Sequence, residues 1–157
     1  MIVVSNTSPI IILFYAQKLN ILHELFKTVR IPPAVFFELT SQSASEQLRS
    51  TIKKCPYIIV ESLDDVELNL EHKLDIGEIE AIKLAKQMNS DILLLDDKRA
   101  QKEAAIHSIP YASSFALLVK AKQKGIITNM SETLELLKKH DIYPNKELKE
   151  FINFLTD

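Results

Sequence analysis

Five short apolar runs, each close to a stretch of helical spacing, constrain this chain more than any other feature. They are Ile2–Val4, the Arg30-Ile31 step ahead of two prolines, "YIIVES" at 57–62, Ile92–Leu95 and Tyr111–Ala112. Strands this short and this apolar suit a sheet buried on both faces. Parallel neighbours must be joined by a crossover, usually a helix, so the alternation predicts an α/β domain with a central, mostly parallel sheet. The 157 residues carry no internal repeat, low-complexity tract or linker, and residues 1–157 read as a single domain.

The helices announce themselves by spacing and by their ends. Pro9 suits a first helical turn capped by Thr7 or Ser8, and Asn20 stands before "ILHELF" as a cap. Pro33 opens a helix through "AVFFELT", and Ser43 or Ser45 opens "EQLRSTIKK". Residues 63–75, "LDDVELNLEHKLD", are acidic and weakly periodic, a short helix or a loop. From Asp75 to Asn89 an apolar stripe runs through Ile79, Ile82, Leu84 and Met88. A cationic helix follows Asp97, another follows Ser113 or Ser114 and stops at Gly125, and two more are expected near Ser131–His140 and Asn145–Leu155.

Polar residues sit where such a sheet binds ligands. In open α/β sheets ligands lie beyond the carboxyl ends of the strands. Asn6-Thr7-Ser8 and Asp96-Asp97 each end an apolar run, Glu78 lies in the first turn of the helix before Asp96, and Glu38 ends "PPAVFFE". Together they would form an acidic pocket. Each also has a local reading. Asp75 and Glu78 make a capping box, Asp97 an N-cap, Asp96 a partner for Lys98 or Arg99, Thr7 or Ser8 a helix start, and Glu38 part of a solvated face.

What is missing narrows the chemistry. With Gly77 and Gly125 the only glycines, neither a P-loop nor a dinucleotide fingerprint can be built. His23, His72, His107 and His140 show no metalloprotease spacing, G-x-S-x-G is absent, and the lone Cys55 excludes an internal disulfide and a thiolate zinc site. Carboxylates without His or Cys suit hard cations, Mg²⁺ or Mn²⁺. Nineteen Lys and Arg against 21 Asp and Glu give a net charge of −2, so a nucleic-acid contact must be local. No stretch nears the ~20 apolar residues of a membrane span, and Ile10–Ala16 lacks the cationic flank of a signal peptide, so a soluble, cytoplasmic protein is expected.

The sequence resembles the PIN-domain family. "VVSNTSPIIIL", "IPPAVFFEL", "LDIGEIEAIKLA", "ILLLDDKRA" and "YASSFALLVKAKQKGII" carry the likeness over nearly the whole chain, closest to uncharacterised bacterial and archaeal PIN proteins related to the VapC toxins. The resemblance implies a three-layer α/β/α fold. It places Asn6 where the family has its first Asp, matches Val35 and Glu38 to a V-x-x-E helix, and matches Glu78 to the third acid. Asp96 or Asp97 would be the last acid, and Ser113 or Ser114 the hydroxyl beyond the next strand. By resemblance, Asn6, Glu38, Glu78, Asp96 and Asp97 form the catalytic set, and Asn6, Glu78, Asp96 and Asp97 the ligands of Mg²⁺ or Mn²⁺. Thr7, Ser8, Ser114, Lys98 and Arg99 would meet the substrate, with Lys102 beyond them.

The implied activity is metal-dependent cleavage of single-stranded RNA. The implied setting is the toxin of a toxin–antitoxin pair, silenced by a small antitoxin protein and assembled as a homodimer. Asn6 departs from the pattern by offering an amide oxygen without a charge. The alternative is therefore a PIN fold with weakened chemistry that binds RNA or protein. A phosphoacceptor receiver domain fits less well, because it needs paired acids after the first strand, where Asn-Thr-Ser stands.

Overall fold

Strand β1 (Val3–Ser5) lies at the centre of a parallel sheet, and the chain leaves it in two directions. The computed structural model describes residues 1–146, 149 and 150, so the helix expected near Asn145–Leu155 falls largely outside it. From β1 the chain passes through α1 (Thr7–Tyr15) and α2 (Ile21–Phe26) to β2 (Val29–Ile31), then through α3 (Pro33–Thr40) and α4 (Glu46–Lys54) to β3 (Ile58–Val60). It then returns through α5 (Ile76–Met88) to β4 (Ile92–Leu94) on the other side of β1, and reaches β5 (Tyr111–Ala112) by way of α6 (Lys98–Ile106). Helices α7 (Ser114–Gln123) and α8 (Met130–Lys138) follow. The strand order is β3-β2-β1-β4-β5, every pairing is parallel, and Ser5 stands beside Leu94 at the carboxyl end.

Alternation of side chains sorts the core into two layers. Val3, Val29, Ile31 and Leu94 face one way, into α1, α2, α3, α4, α7 and α8. Val4, Leu93 and Leu95 face the other way, into α5 and α6 through Ala81, Ile82, Leu84, Ala100 and Ala104. The fold is a three-layer α/β/α sandwich. Each fully buried aliphatic side chain contributes roughly 1.5–3 kcal/mol of burial free energy, so both faces of strands only three residues long are heavily used.

The helix ends follow local chemistry except at α1, α2 and α3: Asn20, expected as a cap, stands before α2 but is itself in the helical conformation and makes no side-chain capping bond, and Pro32 offers none to α3. Ser45, Asp75, Asp97 and Ser113 each accept the backbone N–H three residues on, and Asp75 with Glu78 completes a reciprocal capping box. Asn89 in the left-handed conformation ends α5, and Gly125 at φ 76° follows α7. The third case is α1, which starts at Thr7. Asn6, and neither Thr7 nor Ser8, holds the N-cap position, and its side chain makes no capping bond. Residues 63–75 form an irregular strap that is neither helix nor strand, apart from a bend at 71–72.

Candidate functional site

The two halves of the sheet part between β1 and β4, and there the strand ends open a crevice. The N–H of Asn6 donates to the carbonyl of Leu94 at 3.0 Å, which extends the β1–β4 pairing by one step and turns the Asn6 side chain outward from the strand end. The crevice is a cavity of about 470 Å³ lined by Asn6, Thr7, Ser8, Ile11, Glu38, Asp75, Glu78, Asp96 and Asp97. Polar groups more than 90 residues apart thus meet at one mouth. Lys98 and Arg99 lie outside this lining, exposed at the start of α6.

Each carboxylate is held by neighbours. Thr7 donates through Oγ1 to Glu38 Oε2 at 2.6 Å, joining the head of α1 to α3, so Glu38 is a half-buried cavity residue with a partner. Ser8 donates to Asp96 Oδ2 at 3.0 Å, while Ser114 donates to Asp96 Oδ1 from its backbone N–H at 2.8 Å and from Oγ at 2.9 Å. The expected pairing of Asp96 with Lys98 or Arg99 is replaced by these hydroxyls. Adjacent Asp97 is exposed and spends Oδ1 on the Ala100 N–H at 3.0 Å, which caps α6. Both aspartates line the cavity, and they differ in their partners: Asp96 is held by Ser8 and Ser114, while Asp97 also caps α6.

Electrostatics record the crowding. Burial raises the Glu78 carboxyl above its ordinary range, an effect that the Asp75 N–H opposes and the negative Asp75 and Asp97 reinforce. Burial likewise raises Asp96, against the pull of the Ser114 and Ser8 donors. Both acids lie in a place that favours protons, or another positive charge in their stead.

Two further features bear on what that charge is. Asn6 is only 6% exposed, and its Oδ1 is buried without a hydrogen-bond partner among the described residues, although a buried acceptor normally has one. Gly77 stands against the same place: a Cβ there would lie 2.5 Å from Glu38 Oε1 and 3.3 Å from Asn6 Oδ1. The missing side chain thus leaves room for two oxygens to approach one point. Among the described residues, no three His, Cys, Asp or Glu side chains converge closely enough to hold an ion by themselves. Asn6, Glu38, Glu78 and Asp96 line the cavity with oxygen donors and no nitrogen or sulfur ligand, the donor chemistry that suits Mg²⁺ or Mn²⁺.

Sequence reasoning singled out every polar residue lining the cavity, although it read Asp75 only as half of a capping box. It missed Gly77 as a steric partner of Glu38. It also missed Glu80, whose Oε1 accepts the Ala34 N–H at 2.9 Å and so caps α3 from α5. Two prolines at the head of α3 were the available signal, because a helix that begins Pro32-Pro33 has no side-chain cap of its own.

Comparison with known proteins agrees with this architecture. The profile of the PIN-domain family matches residues 2–155. No curated protein matches the sequence. Among solved structures, a PilT N-terminus domain protein from the hyperthermophilic archaeon Sulfolobus solfataricus P2 superposes with a TM-score of 0.54 at 17% identity, over 77% of this chain and 93% of that one.

Proposed function

Because the chain belongs to the PIN-domain family, whose fold is of nuclease type and generally dependent on divalent metal, we propose that it is a Mg²⁺- or Mn²⁺-dependent endoribonuclease acting on single-stranded RNA. The observation that carries this reading is the buried, unpartnered Oδ1 of Asn6 beside Glu38, at a crevice shared with Glu78 and Asp96. Asn6, Glu38, Glu78 and Asp96 would hold the cation, with Asp97 close by. When bound, the ion polarises the phosphodiester and lowers the pKa of the attacking water.

The chain's own residues prepare the site. Thr7 fixes one oxygen of Glu38, and Ser8 and Ser114 fix both oxygens of Asp96, so these acids lose little freedom on binding. Burial excludes water around Glu78 and Asp96, which strengthens their attraction for a cation. Lys98, Arg99 and Lys102 on α6 offer charges to the RNA backbone beyond the acidic edge. The physiological role is the toxin half of a toxin–antitoxin pair, acting as a cytoplasmic homodimer of this single domain, with a small antitoxin covering the cavity mouth. Among the described residues no helix is long and apolar enough to cross a membrane.

Asn6 also supports a second reading, a PIN fold with weakened chemistry that works by binding RNA or protein. One experiment separates the two: Mg²⁺ and Mn²⁺ titration calorimetry with cleavage of mixed single-stranded RNA, on wild type, Asn6→Asp and Asp96→Asn. The nuclease reading expects wild type to bind metal and cut, and Asp96→Asn to do neither. Activity in Asn6→Asp alone selects the weakened enzyme, and silence in all three overturns nuclease function.

A further inference from the structure

A second groove opens beside the acidic cavity and shares Thr7, Ile11 and Glu38 with it. Its volume is about 410 Å³, and its remaining walls include Tyr15, Phe37, Ser41 and Ser43. Phe37 is 72% exposed on α3, one residue before Glu38, and its ring stands at the groove rather than in the core. The Oγ atoms of Ser41 and Ser43 lie 2.7 Å apart, a pair of hydroxyls able to donate or accept. Among the described residues neither Lys nor Arg lines the groove, and the one charge there is the shared Glu38.

That lining selects among the parts of an RNA strand. A phosphate would meet no cation in the groove and would face a carboxylate, so the backbone is repelled from it. A heterocyclic base is neutral, stacks on aromatic rings and hydrogen-bonds through its edge to hydroxyls. Glu38 is common to both cavities, so an occupant of the groove lies next to the proposed reaction centre. We propose that this groove is a nucleobase subsite, in which the base flanking the scissile phosphate stacks on Phe37 with its edge toward Ser41 and Ser43. The inference rests on the nuclease reading for its neighbour, while base binding itself needs no cleavage.

The test measures binding and cutting separately. Fluorescence anisotropy with a labelled single-stranded RNA oligonucleotide in EDTA reads binding alone. Cleavage in Mn²⁺ is then followed on the same oligonucleotide and on a series carrying one abasic nucleotide at each position in turn. Phe37→Ala is expected to weaken binding about tenfold, the scale of losing one base stack, and Phe37→Trp to restore it. Cleavage of the oligonucleotide abasic at the flanking position should be insensitive to Phe37→Ala, because the stacked base is already gone. If wild type binds RNA without cutting it and Phe37→Ala still loses tenfold, the nuclease reading fails and the subsite stands. If Phe37→Ala binds and cuts as wild type does, the subsite is overturned and the nuclease reading stands. Wild type that neither binds nor cuts overturns both. A Phe37→Ala variant that loses only the grip of a co-expressed antitoxin reassigns the groove to protein and also overturns the subsite.

Discussion

Gly77 on α5 and Glu38 on α3 approach so closely that a Cβ on the glycine would lie 2.5 Å from the Glu38 carboxylate. The contact is with the end of a flexible side chain, so Gly77→Ala moves Glu38 and leaves the helix intact. Alanine also favours a helix over glycine by about 1 kcal/mol, which offsets part of the clash. Stability is therefore expected to change little, while Mn²⁺ affinity falls ~10- to 100-fold, as when groups supporting metal ligands are altered. Calorimetry beside thermal melts checks this, and an unchanged affinity would remove Gly77 from the site.

Asn6→Asp places a fourth acid among Glu38, Glu78 and Asp96. Without a divalent cation the new charge is buried among like charges, so the variant is expected to lose on the order of 1–3 kcal/mol of stability. With Mn²⁺ the sign reverses, and the metal-induced rise in melting temperature should exceed that of wild type. Differential scanning fluorimetry with and without Mn²⁺ reads both arms, and equal shifts in the two proteins would separate Asn6 from the cation.

Glu80 reaches from α5 to cap α3, the helix that carries Glu38. Glu80→Ala is expected to cost about 1 kcal/mol, the usual scale of a lost cap, and to lower RNA cleavage more than RNA binding. Glu80→Gln keeps an acceptor for the Ala34 N–H and should recover most of both. Paired kcat and KM measurements decide the matter, because a purely structural cap would lose stability with no change in kcat.

Glu103 on α6 is fully buried and ties down the 63–75 strap by accepting from both the backbone and Nδ1 of His72, the latter at 2.7 Å. Nε2 of His107 contacts the strap's Asn69 carbonyl at 3.2 Å and lies 3.7 Å from the other Glu103 oxygen. Burial pushes the Glu103 carboxyl up, but the His72 donors outweigh it and hold it below the ordinary glutamate range. A depressed folded-state pKa contributes stability above the unfolded value of about 4.5, and that stability is lost as pH falls through the folded value. Glu103→Gln should therefore cost about 1–3 kcal/mol near neutral pH and show a flatter acid limb. Melting curves from pH ~7 to ~3 test this, and parallel limbs would contradict it.

What could be read in the sequence was short in range. Strand runs, caps three residues apart and acids at strand ends are local, so the α/β class and the residues around the crevice follow from neighbours along the chain. Asp96 and Asp97 could not be told apart locally, because only Ser8 and Ser114, 88 and 18 residues away, decide which one is held by hydroxyls. The helix start at Thr7 was displaced for a related reason. Asn6 occupies the capping position, yet its side chain is turned toward the cavity and leaves the helix end unserved. The Glu103 tether and the reach of Glu80 join elements 31 and 46 residues apart, and nothing in either local stretch announces them.

The clamp on Asp96 has a consequence for how such a protein is made. All the acids at the crevice have been synthesised once residue 97 is added, but Ser114, which holds both the backbone and hydroxyl contacts to Asp96, heads the helix after the last strand. A nascent chain still short of α7 carries the acids without the group that fixes one of them. Asp96 gains its full set of donors only once β5 has paired with β4 and Ser114 lies beside it.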